Sequence, residues 1–297
     1  MSVIRIGTRG SKLALAQTKR VVDLLNKHGI ESETVVISTK GDRVTDRSLH
    51  EAGGVGLFVR ELDTAILEGR IDAAVHSMKD IPLERPKGLI TAAVLKRDPP
   101  FDFLVVGKPM SEVYRIGTSS LRRRAQLLRY YTGHPEMHVA DLRGNIDTRL
   151  SKLTSGEYDA IILAEAGLVR LGLTVNGFRL SADDFVPSAN QGTIAVVSRN
   201  TPELREAFAS LNDAETAFST SVERAVMEEL GAGCFTPSGA YCEGHRLIAE
   251  VLSLDGTKAE RVVAEVFSLE DAHAAGRLLF EKSEELLMEA RKKIEGE

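Results

Sequence analysis

Apolar residues over the first two thirds of the chain switch between two spacings. Short runs at Val3–Ile6, Thr34–Ile37, Ala73–His76, Thr91–Leu95, Phe103–Val106, Arg115–Gly117, His138–Ala140, Ala160–Leu163 and Ile194–Ser198 read as strands. Between them, helical spacing marks Lys12–Lys27, Leu57–Glu68, Leu121–Tyr131, Ile146–Leu153 and Pro202–Leu211, as in Val21, Leu24 and Leu25 or Phe58, Leu62, Ala65 and Ile66. This alternation predicts an α/β architecture with mostly parallel sheets. After about Asn212 the pattern changes. A long helix, Ala214–Leu230, meets Gly231-Ala232-Gly233, then strands Leu247–Leu254 and Arg261–Phe267 flank the hairpin signal Asp255-Gly256. A closing amphipathic helix, Glu270–Ile294, completes a small α+β domain.

A weak repeat runs inside the α/β region. Arg5-Ile6-Gly7-Thr8 is echoed by Arg115-Ile116-Gly117-Thr118, and Gly69-Arg70-Ile71-Asp72-Ala73 by Gly156-Glu157-Tyr158-Asp159-Ala160, in the same order. The repeat predicts two similar doubly wound halves with a ligand cleft between matching loops. Pro99-Pro100 marks the crossing between them. The expected division is 1–96 with a return segment 190–211, then 97–189, then 212–297.

Composition narrows the function classes. Over 297 residues, 38 basic against 43 acidic residues give a net charge of −5, which argues against general nucleic-acid binding. No apolar run reaches membrane-spanning length, and the opening MSVIRIGTRGS has no secretory pattern, so a cytoplasmic protein is expected. The two cysteines, Cys234 and Cys242, suit a reducing compartment; with His245 alone nearby, no metal site is expected.

Against that acidic background, arginine clusters stand out. Gly117-Thr118-Ser119-Ser120-Leu121-Arg122-Arg123-Arg124 places hydroxyls, free N–H groups and guanidiniums at a helix start, an arrangement suited to carboxylate or phosphate. Thr8-Arg9-Gly10-Ser11 repeats it. Arg143 and Arg149 flank another strand-to-helix turn, and Arg170 follows a further strand. Each alone reads as a surface charge; together they predict a ligand with several carboxylates or phosphates. His76-Ser77-Met78-Lys79-Asp80 ends a strand, where Asp80 can manage protons or stabilise a cation and Lys79 can pair with a carboxylate. The competing reading makes Asp80 a turn cap ahead of Pro82 and His76 a packed side chain. Gly53-Gly54-Val55-Gly56 lacks the lysine and hydroxyl of a phosphate loop and reads as a mobile active-site loop. Cys234, flanked by glycine past a helix end, is a candidate nucleophile or attachment point, whereas Cys242 fits a buried hydrophobe.

These segments together resemble the porphobilinogen deaminase (hydroxymethylbilane synthase) family. The resemblance rests on HSMKD (His76–Asp80), GTSSLRR (Gly117–Arg123), LRGN with TRL (Leu142–Leu150), YDAIILA (Tyr158–Ala164) and GxGC (Gly231–Cys234), in order. It implies three domains, two of them like the halves of a bilobed periplasmic binding protein. It also implies a dipyrromethane cofactor joined to Cys234 by a thioether, on which four porphobilinogen units condense head to tail with loss of ammonia before hydrolytic release. Asp80 corresponds to the family's catalytic aspartate. The resemblance assigns Ser77, Lys79, Asp80, Thr118, Ser120, Arg122, Arg123, Arg143 and Gly144 to the cofactor. It assigns Arg9, Ser11, Arg149, Gly167, Arg170 and Gln191, with Gly192 beside it, to substrate. Porphobilinogen is the implied partner, and the implied state is a monomer. Glu51 and Val55 stand where the family often has lysines, and Lys12 where it often has proline. Two rivals remain open at this point: a non-catalytic bilobed binding protein for a polyanionic small molecule, and an enzyme acting on a phosphorylated metabolite.

Overall fold

The computed structural model describes residues 3–37, 57–231 and 236–295. They fall into two compact units, one of Met1–Asp98, Val169–Gly172 and Gly192–Phe218, the other of Pro99–Leu168, Leu173–Gln191 and Ser219–Glu297.

In the first unit, β1 (Ile4–Thr8), β2 (Ser32–Val36), β3 (Ala73–Ser77), β4 (Leu89–Val94) and β10 (Ile194–Arg199) form one sheet in the order β2-β1-β3-β10-β4. The side-chain period of two sends alternate residues to opposite faces. Val75, Ile194 and Val196 join one buried cluster with Val21 and Leu25 of α1 (Lys12–Lys27) and Phe208 of α6 (Pro202–Ala209). Ala74, Ala195 and Val197 join the other, with Leu62, Ala65 and Ile66 of α2 (Leu57–Leu67). The sheet is therefore covered by helices on both faces. Phe208, fully buried, contributes about 3 kcal/mol through burial of its ring.

The second unit repeats this plan. Strands β5 (Asp102–Val106), β6 (Arg115–Gly117), β7 (His138–Ala140), β8 (Ala160–Ala164) and β9 (Gly177–Arg179) lie in the order β7-β6-β8-β5-β9. Leu104, Ala160 and Ile162 pack with Leu127 of α3 (Leu121–Tyr130), and Val105, Ile161 and Leu163 with Leu153 of α4 (Ile146–Thr154) and Leu168 of α5 (Glu165–Arg170). Ile6 faces Ala73 in one sheet as Ile116 faces Ala160 in the other. The sequence echo is thus a repeat in register.

Both sheets are mixed, yet in each of them four of the five strands run in one direction, in keeping with the expectation of mostly parallel sheets. Strands β10 and β5 each run antiparallel to both neighbours. Each is the strand laid down after a crossing between units, and it enters in the opposite sense to the βαβ series beside it. Strand β9, only three residues and exposed, carried no apolar run to betray it.

The C-terminal elements are α7 (Ala214–Glu229), strands β11 (Ser238–Glu243), β12 (Arg246–Leu252) and β13 (Ala259–Glu265), and α8 (Leu269–Glu295). The strands form an antiparallel sheet in chain order. Asp255 shapes its hairpin by accepting from the Ser253 and Thr257 hydroxyls and the Thr257 N–H. Cys242 is buried in β11, its thiol donating to the Gly244 carbonyl. Its N–H and that of Asn190, a residue in the left-handed region at φ 63°, both donate to the fully buried Glu223 carboxylate.

Candidate active site

In the first unit the candidate residues gather at the carboxyl ends of β1 and β3. Ser11 caps α1, its hydroxyl accepting from the Ala14 N–H at 3.3 Å, and Arg9 precedes it, half-buried. Ser77 ends β3, and its Oγ accepts from Gln17 Nε2 at 2.8 Å, which leaves the hydroxyl proton to donate elsewhere. One 3₁₀ turn, Met78–Asp80, follows. It is pinned on both sides: the Met78 N–H donates to the Thr193 carbonyl, the Ile81 N–H to that of Met78, and Met78 and Ile81 are buried under α2. Lys79 is half-buried and Asp80 exposed. Among the described residues, the Asp80 carboxylate accepts no hydrogen bond, so the turn-cap alternative has no bond to rest on.

His76 is buried, with Nε2 unpartnered, and its pKa is pushed down to about 3 by burial and then by the charges of Arg85 and Arg9. It is a neutral packed side chain, not a base. Arg170 is tied to Asp98 at 2.7 Å and to the Gly192 carbonyl at 2.6 Å. Burial lowers its pKa, while Asp98 and, more weakly, Asp80 raise it. The chain thus brings Asp80 within the electrostatic reach of Arg170. Asp98, which also holds Arg20 at 2.7 Å, escaped the sequence reading, since an acid before two prolines looks like a turn residue.

In the second unit, the Thr118–Arg123 loop is braced from within. Ser120 caps α3, accepting from the Arg123 N–H, and its own N–H donates to the Thr118 hydroxyl. Ser119 exchanges hydrogen bonds with both backbone groups of Leu142, joining this loop to the Arg143–Asn145 loop. The sequence reading passed over Ser119, one hydroxyl among three.

Arg122 and Arg123 point inwards. Arg123 gives Nε and Nη2 to Asp102 Oδ1 at 3.0 and 2.7 Å and Nη1 to the Ile162 carbonyl. Arg122 meets Asp102 Oδ2 at 2.8 Å and gives Nη1 to Gln126 and the Val186 carbonyl. Gln191 donates to Asp102 as well. Burial pushes the Asp102 carboxyl up, but the two arginines and Gln191 outweigh it and hold it far below the usual range. The hub has a legible sign in retrospect: Asp102 is the one charge in the strand Asp102–Val106. Gly167 is buried against α4, where a Cβ would come 2.7 Å from Ile146 Cδ1, so its place is set by packing.

Arg149 differs. Its Nε donates to the Gly144 carbonyl at 2.8 Å, and among the described residues no carboxylate pairs with it. Gly144 holds φ 111°, a left-handed conformation that turns its carbonyl to this side chain at little cost for glycine. The Arg149 guanidinium is pushed down to about 10, first by burial and then by the like charge of Arg123. A guanidinium under the like charge of Arg123, with no carboxylate of its own among the described residues, is stabilised by an incoming anion. Arg143 is exposed on the same loop.

The family models place the chain. The model described as "Porphobilinogen deaminase, dipyromethane cofactor binding domain" matches residues 4–206, and "Porphobilinogen deaminase, C-terminal domain" matches 217–285. The chain belongs to the porphobilinogen deaminase family. It is therefore a tetrapyrrole-forming transferase of the hydroxymethylbilane synthase type, with a domain for the dipyrromethane cofactor. Among its relatives, a probable porphobilinogen deaminase of Methanosarcina acetivorans is 50% identical over 299 residues, covering 96% of this chain and 93% of that protein. A porphobilinogen deaminase of Geobacillus kaustophilus is 43% identical over the full length of both. A periplasmic substrate-binding protein of an ABC transporter from Coxiella burnetii aligns with 73% of this chain and 94% of its own at 14% identity and a TM-score of 0.44. Cys234, Glu51, Val55 and the Gly53–Gly56 run lie outside the described residues.

Proposed function

We propose that this chain condenses four porphobilinogen units head to tail, with Asp80 as the catalytic carboxylate and Cys234 as the cofactor's attachment point. The observation that carries the reading is Arg149, a half-buried guanidinium under the like charge of Arg123 and, among the described residues, with no carboxylate of its own. Such a pair suits a ligand bearing acetate and propionate groups, so the residues present fit a dipyrromethane.

When bound, that cofactor supplies the pyrrole end from which the chain grows. In one unit Thr118, Ser120, Arg122, Arg123, Arg143 and Gly144 are the residues suited to its carboxylates; Ser77 and Lys79 are the donors of the same kind in the other unit. Arg9, Ser11, Arg149 and Arg170 are suited to the carboxylates of the incoming substrate, with Gly167 and Gln191 as the further residues assigned to it. Loss of ammonia from porphobilinogen leaves an electron-poor methylene-pyrrole cation. Asp80, an exposed carboxylate on a pinned turn that accepts no hydrogen bond among the described residues, stabilises that charge.

The proposal includes the three-domain division 1–96 with 190–211, 97–189 and 212–297, and a monomer working in the cytoplasm without nucleic-acid or membrane partners. The net charge of −5 supports the last point, as does the lack, among the described residues, of a helix long and apolar enough to cross a membrane. Turnover of Asp80→Asn tests the chemistry. Asparagine keeps the shape and removes the charge, so a loss of about 3 kcal/mol, several hundredfold in rate, is expected at an unchanged melting temperature. Near-normal turnover would remove Asp80 from the mechanism.

A further inference from the structure

A buried polar chain runs from α3 to the C-terminal sheet. Arg122 Nη1 donates to Gln126 Oε1 at 2.8 Å, and Gln126 Nε2 donates to the Val186 carbonyl at 3.0 Å and to Glu250 Oε2 at 3.3 Å. The other Glu250 oxygen accepts from Arg261 Nη2 at 3.0 Å, its partner directly across the β12–β13 ladder. Glu250 is 3% exposed, and a carboxylate so buried needs a reason beyond pairing with a half-exposed arginine.

Only one orientation of the Gln126 amide satisfies these neighbours. Arg122 has donors alone, so it demands the oxygen; Glu250 and the Val186 carbonyl only accept, so they demand the NH2 group. Gln126 therefore passes the polarity of Glu250 to Arg122. Arg122 needs that help. It shares the single carboxylate of Asp102 with Arg123, and Glu250 is a second anion acting to keep it charged. With Arg122 held on Asp102 Oδ2 by Gln126, the other oxygen, Oδ1, is left to fix Arg123, the residue whose charge bears on Arg149.

We propose that Glu250 is a positioning residue for the anion loop, acting through Gln126 to seat Arg122 on Asp102 and so set how Arg123 presents its charge beside Arg149. This rests on the reading of Arg123 and Arg149 as ligands for pyrrole carboxylates. Such contacts hold substrate and transition state alike, so their disturbance appears in KM more than in kcat.

The test is steady-state kinetics with porphobilinogen on the holoprotein, with intact mass and melting temperature measured alongside. Glu250→Gln is expected to raise KM by about fivefold, the size of an ordinary side-chain coupling, with kcat within about twofold and the adduct retained. Gln126→Met cuts the same link while leaving the Glu250–Arg261 pair, and must raise KM alike; in that background Glu250→Gln adds nothing further. Arg261→Gln, which spares the link, lowers the melting temperature and leaves KM as it was. A folded Glu250→Gln with wild-type KM overturns the proposal, as does an undiminished effect in the Gln126→Met background. Should Glu250→Gln fail to fold, the KM of Gln126→Met decides in the same way. A wild type with no adduct and no turnover of porphobilinogen would instead sink the functional reading beneath it.

Discussion

Asp72 and Asp159 hold matching places in the two sheets. The N–H of each donates at 2.9 Å to an arginine carbonyl in the first strand of its own βαβ series, Arg5 and Arg115 respectively. Each carboxylate accepts that arginine's N–H in return, at 2.9 and 2.8 Å. Each also meets a cation at the far end of the antiparallel strand, Arg199 at 2.7 Å and Lys108 at 2.6 Å. One device locks the start of a parallel strand to both neighbours, once per half.

Its two copies differ in strength. Asp72 meets two arginines, Arg5 and Arg199; Asp159 meets one cation, the exposed Lys108, beside the Tyr114 and Arg115 N–H groups. Burial alone would raise the Asp72 carboxyl, yet the arginines bring it down to about 2. Asp72→Ala is therefore expected to cost about 3 kcal/mol and Asp159→Ala about 2 kcal/mol, because charged hydrogen bonds are lost in each. Denaturant melts of both variants check this; equal losses below about 0.5 kcal/mol would show that the lock adds nothing.

His76 makes stability pH-dependent. Its folded pKa of about 3 lies below the ordinary 6.5, so between those values the unfolded chain binds a proton that the folded chain refuses. Its contribution is complete above pH 6.5 and is lost as pH falls. From pH 7 to pH 5 that amounts to about 2 kcal/mol. Melts of wild type and His76→Gln across this range should differ in slope, with the variant flatter. Parallel curves would mean that His76 titrates normally in the fold.

The arginines divide into kinds that the sequence could not separate. Three in a row, Arg122, Arg123 and Arg124, were legible as a cluster; which way each points depends on Asp102, a residue 20 or so positions away in sequence that only the sheet brings near. Arg124 is a surface charge, 39% exposed and 3.5 Å from Asp141. Strands with strong apolar runs were legible almost to the residue, as with β8, because burial on both faces leaves no room for polar side chains. The antiparallel sense of β5 and β10 was not, since periodicity is blind to direction. Asp80 and Arg149 were visible as residue types; that, among the described residues, Asp80 accepts no hydrogen bond and Arg149 has no paired carboxylate is a property of the folded surroundings alone.

Lysine substitutions exploit that division. Arg149→Lys keeps the charge but not the planar fork, and should weaken ligand binding by about 1.5–3 kcal/mol at an almost unchanged melting temperature. Arg123→Lys breaks a buried pair and should also melt earlier, by several degrees. Arg124→Lys should match wild type in both. Calorimetric melts and KM for porphobilinogen separate the three; identical behaviour throughout would refute the anion-site argument.

The central claim is a covalent cofactor on Cys234, and intact-mass measurement of the purified protein tests it most directly. The wild type and Cys242→Ser should both exceed the mass of the 297-residue chain by two porphobilinogen units less their ammonia, while Cys234→Ser should match the bare chain and turn over no substrate. An active wild type at the bare-chain mass, or an adduct that persists in Cys234→Ser, would contradict the account.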